Sequence, residues 1–455
     1  MAPDKKSTTG RLAEYISNLQ YEDLPAEVIQ QAKKIILDAL GCQVSCSLLE
    51  NGRSIIKLGR AQGGPAEASV FGSDYKTSAI NAAFVNGTLG HGDEIDDSLE
   101  EAGHVSAVIV PAAFACGEKD GASGRDLITA VVAGYDIAGG FANAGVSVKR
   151  LMIGYSDGYA SVFWGVAAAC NILKLRPDQV RIALGLSACQ SGGFYDFSEA
   201  KHMAKSLMMG FGARNGTTAA LLAQMNFDGP SSVFESDNNV LRYQIGENYN
   251  QQDLTENLGK KFVIMDTCIK LYSAGHPIHA PAYGLRKIMD REGINADDIQ
   301  SIIVRLPERE KQIVDNRDMP DINIQYCLAV SAFDRQLSWD QFTPERLKDP
   351  KVADLKSRVL ALHDPEMDER KKITKAHSAE IDVRTKDDRK FSERVDFPPG
   401  DPGNPATQMD VEKKVMHYAS KVLGQDRTRK VIETVKNLDA LPDLNELGNM
   451  LRIQK

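Results

Sequence analysis

Five stretches of this chain are hydrophobic nearly all round: residues 78–89, 105–116, 127–138, 161–173 and 213–225. A helix with no polar face cannot lie at a surface, so each must sit inside a bundle with other helices around it. That requirement predicts a large all-helical domain. Its amphipathic members are legible too. Leu24-Pro25-Ala26-Glu27 opens a helix with Val28, Ala32, Ile35, Ile36 and Ala39 on one face, proline in its first turn and Gly41 as its stop. With 455 residues, 42% of them hydrophobic, the chain is long enough for two or three domains.

The pattern changes near Thr267. Residues 299–306 and 379–385 are β-branched and alternate or run apolar, and Lys386-Asp387-Asp388-Arg389-Lys390 resembles a hairpin turn leading into residues 391–397. Helical stretches at 278–292 and 326–336 separate the strands. Phe397 to Pro405 is a breaker-rich linker, and helical patterning returns from Asp410. The expected fold class is mainly α: an all-helical domain over 1–267 and 406–455, interrupted by a smaller α+β lid over 268–405. Two domains with a cleft between them are a common enzyme layout.

The net charge of −8 argues against a nucleic-acid or anionic-membrane partner, because both need a basic surface. Residues 105–116 are too few to span a bilayer, and the polar N-terminus lacks the apolar core of a signal peptide. Seven scattered cysteines suit reduced, buried thiols better than a disulfide framework, so a cytoplasmic protein is expected.

Residues 90–104 hold six carboxylates and two histidines directly ahead of an apolar run. So many ionisable groups beside core-forming sequence must be paired, solvated or used. If 86–101 is helical, Asp93, Asp97 and Glu100 project together, and His91, Glu94 and Ser98 form the adjacent stripe. Three readings stay open: a divalent-metal site, although the spacing matches no known metal loop; a solvated acidic turn or cap with Asp97 bonding backbone amides; and a catalytic or substrate-orienting role. His104, at the lip of the apolar run, is either a structural donor or an acid/base. Lys201, His202 and Lys205 precede the small-residue stretch 209–213, where glycines let something approach the backbone closely. Lys270, Tyr272, His276 and His279 lie at the domain junction, where ligands often bind.

Taken together, these segments resemble the MmgE/PrpD family, which includes 2-methylcitrate dehydratases, cis-aconitate decarboxylases and iminodisuccinate epimerases. The carriers are residues 86–98, close to the family's His-Ala-Leu-Asp-Phe-Asp-Asp-Thr; His104; Ala204-Lys205-Ser206-Leu207; Phe227-Asp228-Gly229-Pro230; and Lys270-Leu271-Tyr272. The resemblance implies a helical domain broken by an α+β lid, a homodimer, and catalysis with neither metal nor organic cofactor. It places His104, Lys205, Lys270 and Tyr326 on catalytic positions, and Glu94, Asp96, Asp97, Ser98, Tyr159, His276 and His279 on substrate-binding ones. The chain departs from the family pattern at Gly158-Tyr159, where a histidine prominent in decarboxylases is missing, at Met208, and at Tyr272-Ser273-Ala274-Gly275-His276.

The expected activity is that of a lyase on a small di- or tricarboxylate, with dehydration ahead of decarboxylation. Lysines would hold the carboxylates and His104 would move one proton. The alternatives are an epimerase or isomerase of a dicarboxylate, and a family member that binds a carboxylate without turning it over.

Overall fold

The computed structural model describes residues 5–100, 102–145, 158–193, 203–246 and 249–453. The fold is mainly α with a smaller α+β region. At its centre are the helices that the apolar stretches predict. Amphipathic α1 (Ala26–Cys46) lies against α2 (Ala79–Gly90) and α3 (Ser106–Asp120), followed by α4 (Gly124–Asn143), α5 (Gly158–Ile172) and α6 (Ala204–Gln224). Trp164, Tyr135, Phe141 and Phe163 are fully buried among them. Each such side chain contributes about 1.5–3 kcal/mol relative to exposure.

α6 runs along α5 and α2. A Cβ on Gly216 would meet the backbone nitrogen of Val166 at 2.5 Å, so only glycine allows α6 this close to α5. The glycines of 209–213 serve the same end. Gly210 faces the backbone of Phe84 in α2, and Gly212 faces Ser161 in α5.

One expectation fails. Residues 86–101 are not a continuous helix: α2 ends at Gly90, His91 leaves the helical region (φ −122, ψ 36), and β1 (Asp97–Leu99) follows. β1 pairs antiparallel with β2 (Thr267–Ile269), in the register Asp97↔Ile269, Ser98↔Cys268 and Leu99↔Thr267. The partner that satisfies this backbone lies far along the chain, so no local pattern announces the strand.

Beyond β2 the chain builds a mixed sheet of order β4-β3-β5-β6 from β3 (Ile299–Leu306), β4 (Val359–His363), β5 (Ala379–Thr385) and β6 (Lys390–Val395). β3 and β4 are parallel, and the other pairs are antiparallel. The predicted hairpin between β5 and β6 is present, turning through Asp388 in the left-handed region (φ 69). α7 (His279–Glu292) packs on β5 and β6, and α9 (Ile324–Asp334) packs on α7; α8 (Glu308–Val314) and α10 (Pro365–Thr374) lie at one end of the sheet.

There are two main hydrophobic cores. One joins residues from Leu12 to Leu271 with Ala406 and residues up to Leu451, and the other joins residues from Ala274 to Val395. Val411 and Val415 of α11 (Gln408–Leu423) belong to the first, because α11 packs along α1. No helix among the described residues is long and apolar enough to cross a membrane.

Candidate active site

Residues 91–96 turn back over the end of α2 and deliver an ionic cluster. Glu94 lies between two ammonium groups: Lys205, from the first turn of α6, and Lys270, one residue past β2, at 2.9 Å. Lys270 also stands 3.6 Å from Asp96. Asp96 in turn faces Nδ1 of His91 at 3.1 Å and Nδ1 of His104 at 3.0 Å, and the two imidazoles lie with centroids 3.7 Å apart and planes tilted by 34°.

Most of this cluster is inaccessible: Glu94, Asp96, His91 and Lys270 are all buried. Burial opposes the charge on Glu94, yet Lys205 and Lys270 overcome it and hold the carboxyl well below its usual range. Burial also opposes the charge on Asp96, and His104, His91 and Lys270 overcome it in the same way. Lys270 is held above its usual range by Glu94 and Asp96 despite burial. His91 is pushed down to about 4, first by burial and then by His104. It is therefore a neutral ring at neutral pH. The side chains of His104 and Lys205 keep 13% and 25% of their exposure, so these two are the members a small molecule can reach.

Nitrogen and oxygen atoms of His91, Asp96 and His104 lie within 4.8 Å of one another, so the three could ligate a cation. The ammonium of Lys270 beside Asp96 competes for the same oxygen charge. The second-nearest acid, Glu94, is already bridged by two lysines.

The loop is held from beneath by α11. Lys414, itself buried and paired with Asp38 of α1 at 2.6 Å, donates to the Ile95 carbonyl. Asp97 points the other way. The period-two alternation of a strand sends Asp97 and Leu99 into the helical core and leaves Asp96, Ser98 and Glu100 on the opposite face. Asp97 accepts from the Tyr135 hydroxyl, from the Ser106 hydroxyl at 2.5 Å and, at 3.1 Å, from the Ser106 amide, the first of α3. Burial and neighbouring Asp96 push its carboxyl up to about 6.

Ser98 and Glu100 open onto a 660 Å³ cavity, whose wall also carries Cys268, His276, His377 and Asp401. His377 lies 3.0 Å from Glu100 and 3.2 Å from Glu310 of α8, and Lys371 of α10 bridges the same two carboxylates at 2.8 and 2.6 Å. The four side chains form a closed ring in which Glu100 alone comes from the helical part. Burial opposes protonation of His377, but Glu100 and Glu310 outweigh it and raise its pKa.

The other sequence candidates lie elsewhere. His279 is fully buried, with Nε2 3.2 Å from the Ala274 carbonyl, and burial followed by Lys270 lowers it to about 3. Its place is that of a structural donor at the start of α7. The Tyr326 hydroxyl donates to the Gln341 carbonyl at 2.5 Å, and its ring belongs to the second core. Tyr159 lies in the first turn of α5, its carbonyl accepting from Ser191 at 2.6 Å and its ring beside Tyr243. Lys201 and His202 fall outside the described residues. Sequence reasoning left out His91 as a site residue, although its place in the acidic stretch was a signal. Lys371, His377 and Lys414 carried no signal at all, since each is an isolated charge in ordinary helical or loop sequence.

Comparison with known proteins agrees with this architecture along nearly the whole chain. Cis-aconitate decarboxylase of Aspergillus terreus (strain NIH 2624 / FGSC A1156) is 26% identical over 98% of this chain and 96% of its own length. The cis-aconitate decarboxylase of Homo sapiens is 27% identical over 98% of this chain and 95% of its own. Residues 10–252 match the MmgE/PrpD N-terminal domain and residues 272–440 the MmgE/PrpD C-terminal domain, and the chain belongs to the MmgE/PrpD family.

Proposed function

We propose that the protein is a lyase that removes a small group from a di- or tricarboxylate by moving one proton beside a carboxylate, with His104 as the proton-transfer residue. The observation that carries this is the contact of His104 Nδ1 with Asp96, 3.0 Å away, next to a partly open lysine. With Nδ1 facing an anion, Nε2 is the nitrogen left to exchange a proton with substrate. The full-length similarity to cis-aconitate decarboxylases supports a carboxylate as the substrate class.

Glu94 and Asp96 balance Lys205 and Lys270, so the cluster becomes net positive only when His104 is protonated. An arriving carboxylate meets the partly open ammonium of Lys205. In a decarboxylation, the electron pair left on carbon when carbon dioxide departs takes the proton from Nε2. In a dehydration, neutral Nε2 accepts the proton from the carbon next to the carboxylate and returns it to the departing hydroxide as water. Either way the positioned imidazole lowers the barrier and Lys205 stabilises developing carboxylate charge.

The test is turnover of cis-aconitate and 2-methylcitrate, followed by carbon dioxide release and by absorbance of the unsaturated acid. His104→Ala is expected to lower turnover by roughly 10²-fold or more. Undiminished turnover in that variant would remove the assignment. Solvent deuterium entering the substrate without loss of water or carbon dioxide would point to epimerisation instead.

A further inference from the structure

Glu94 and Asp96 stand on a short connection that belongs to no regular element. α2 ends at Gly90 and β1 begins at Asp97, so the carbonyls between them lie outside helix and strand ladder alike. Two of these carbonyls are held by side chains from distant parts of the chain. Asn51, in the first turn of the helix Glu50–Gln62, donates through Nδ2 to the Gly92 carbonyl at 3.0 Å. Lys414 of α11 donates to the Ile95 carbonyl, and the Cys42 thiol of α1 stands 3.6 Å from the same oxygen. Glu94 lies between the two held carbonyls, and Asp96 directly follows the second.

Each donor is itself fixed. The Asn51 side-chain oxygen accepts from the Gly52 amide at 2.8 Å, and Nδ2 also reaches the Ser206 hydroxyl at 3.3 Å. Ser206 is buried, gives its own proton to the Met203 carbonyl at 2.9 Å, and is the chain neighbour of Lys205. One amide group therefore ties the connection that carries Glu94 to the turn that carries its partner Lys205. Lys414 is buried, and its ammonium faces the buried carboxylate of Asp38 at 2.6 Å. Taking such a pair out of water costs free energy that apolar side chains of similar size would not, so stability alone does not account for it. What an apolar pair lacks is a donor for the Ile95 carbonyl.

We propose that Asn51 and Lys414 are positioning residues of the reaction, acting through the Gly92 and Ile95 carbonyls rather than on the substrate. Asn51 sets Glu94 against Lys205, and Lys414, oriented by Asp38, sets Asp96 behind His104. This rests on the reading of His104 as the proton-transfer residue and deepens it. A misplacement of about 1 Å caused far from the chemistry can cost roughly 10²-fold in rate, so such supports are read in kcat.

The test is steady-state turnover of cis-aconitate and 2-methylcitrate by variants of the full chain, with denaturant unfolding measured beside it. Lys414→Met leaves Asp38 buried and unpaired, and its unfolding midpoint is expected to fall. Adding Asp38→Leu removes the orphaned charge. The double variant should recover the wild-type midpoint while its kcat stays about tenfold low and its KM within about threefold of wild type. A pair with a merely structural role would recover turnover together with stability. Asn51→Leu, at a half-buried position, should keep its midpoint, lower kcat about tenfold and also raise KM, because the turn that carries Lys205 loses its tether. If either the double variant or Asn51→Leu keeps wild-type kcat while His104→Ala loses turnover, that residue's assignment is overturned and the reading of His104 stands. If the wild-type protein turns over neither acid, or His104→Ala matches it, both fall together.

Discussion

Glu94 and Asp96 with Lys205, Lys270, His91 and His104 form one buried ionic cluster, and Glu100 and Glu310 with Lys371 and His377 form another. Both use the same residue types, but their stoichiometry differs. The first sets two carboxylates against two lysines and two imidazoles, of which His91 is neutral, and it leaves His104 and Lys205 partly open. The second sets two against two, each carboxylate touching both bases, and its charges are already met. They also differ in origin. Every member of the first cluster lies at or before Lys270, whereas the second ties Glu100 to three residues of the α+β part. Partly open members mark the proposed reactive site, and a closed ring of matched charges marks the joint between the two parts.

The largest effect that would sharpen this contrast is on stability. Glu94→Ala leaves the ammonium of Lys270, 1% exposed, without its nearest anion, and is expected to cost about 3–5 kcal/mol in denaturant unfolding. Glu100→Ala should cost less, about 1–2 kcal/mol, because Lys371 and His377 each keep Glu310. Equal losses would erase the distinction.

Asp97, a carboxylate with hydroxyl and amide partners and no lysine, should behave in the opposite sense to Glu94. Its folded-state pKa of about 6 lies above the ordinary value of 3.8, so the folded state holds the proton more tightly. Its contribution is most favourable below about pH 4 and declines as pH rises to about 6, by at most roughly 3 kcal/mol. Comparing wild type with Asp97→Asn across that window checks the sign: a difference that does not change with pH contradicts it.

A smaller effect separates positioning from stability. Asp96→Asn, which keeps the shape behind His104 but removes the charge, should lower turnover of cis-aconitate about tenfold. A variant with unchanged turnover would show that Asp96 does not support His104. The smallest expected effect is at the ring. The raised pKa of His377 makes its contribution complete below its ordinary value of 6.5, and that contribution is lost as pH rises through the folded-state value. Thermal unfolding of His377→Gln should lack this decline, and an unaltered pH profile would break the account of the ring.

Much of the architecture was legible beforehand for local reasons. A helix that is apolar on every side can only be interior, and Asp388 with its neighbours makes a turn whatever surrounds them. His104, Lys205, Lys270 and Glu94 were legible as candidates, and the structure brings them together. Residues 91–99 were not legible as a turn and strand, because the helical spacing of their acids competes with a pairing to 267–269 that nothing nearby encodes. Tyr326 and His279 carry reactive side chains in the sequence, but their neighbours in space give them ordinary hydrogen bonds.

The amino-acid order alone determined which segments must be buried helices, that 299–306 and the 379–397 hairpin are strands, and in which short stretch acids and histidines concentrate, since hydrophobic period and side-chain type are properties of neighbouring residues. Tertiary structure alone decided which acids meet which bases. Charge pairing acts over a few ångströms in space, and Lys205, Lys270, Lys371 and His377 reach their carboxylates across separations in the chain that no local pattern spans.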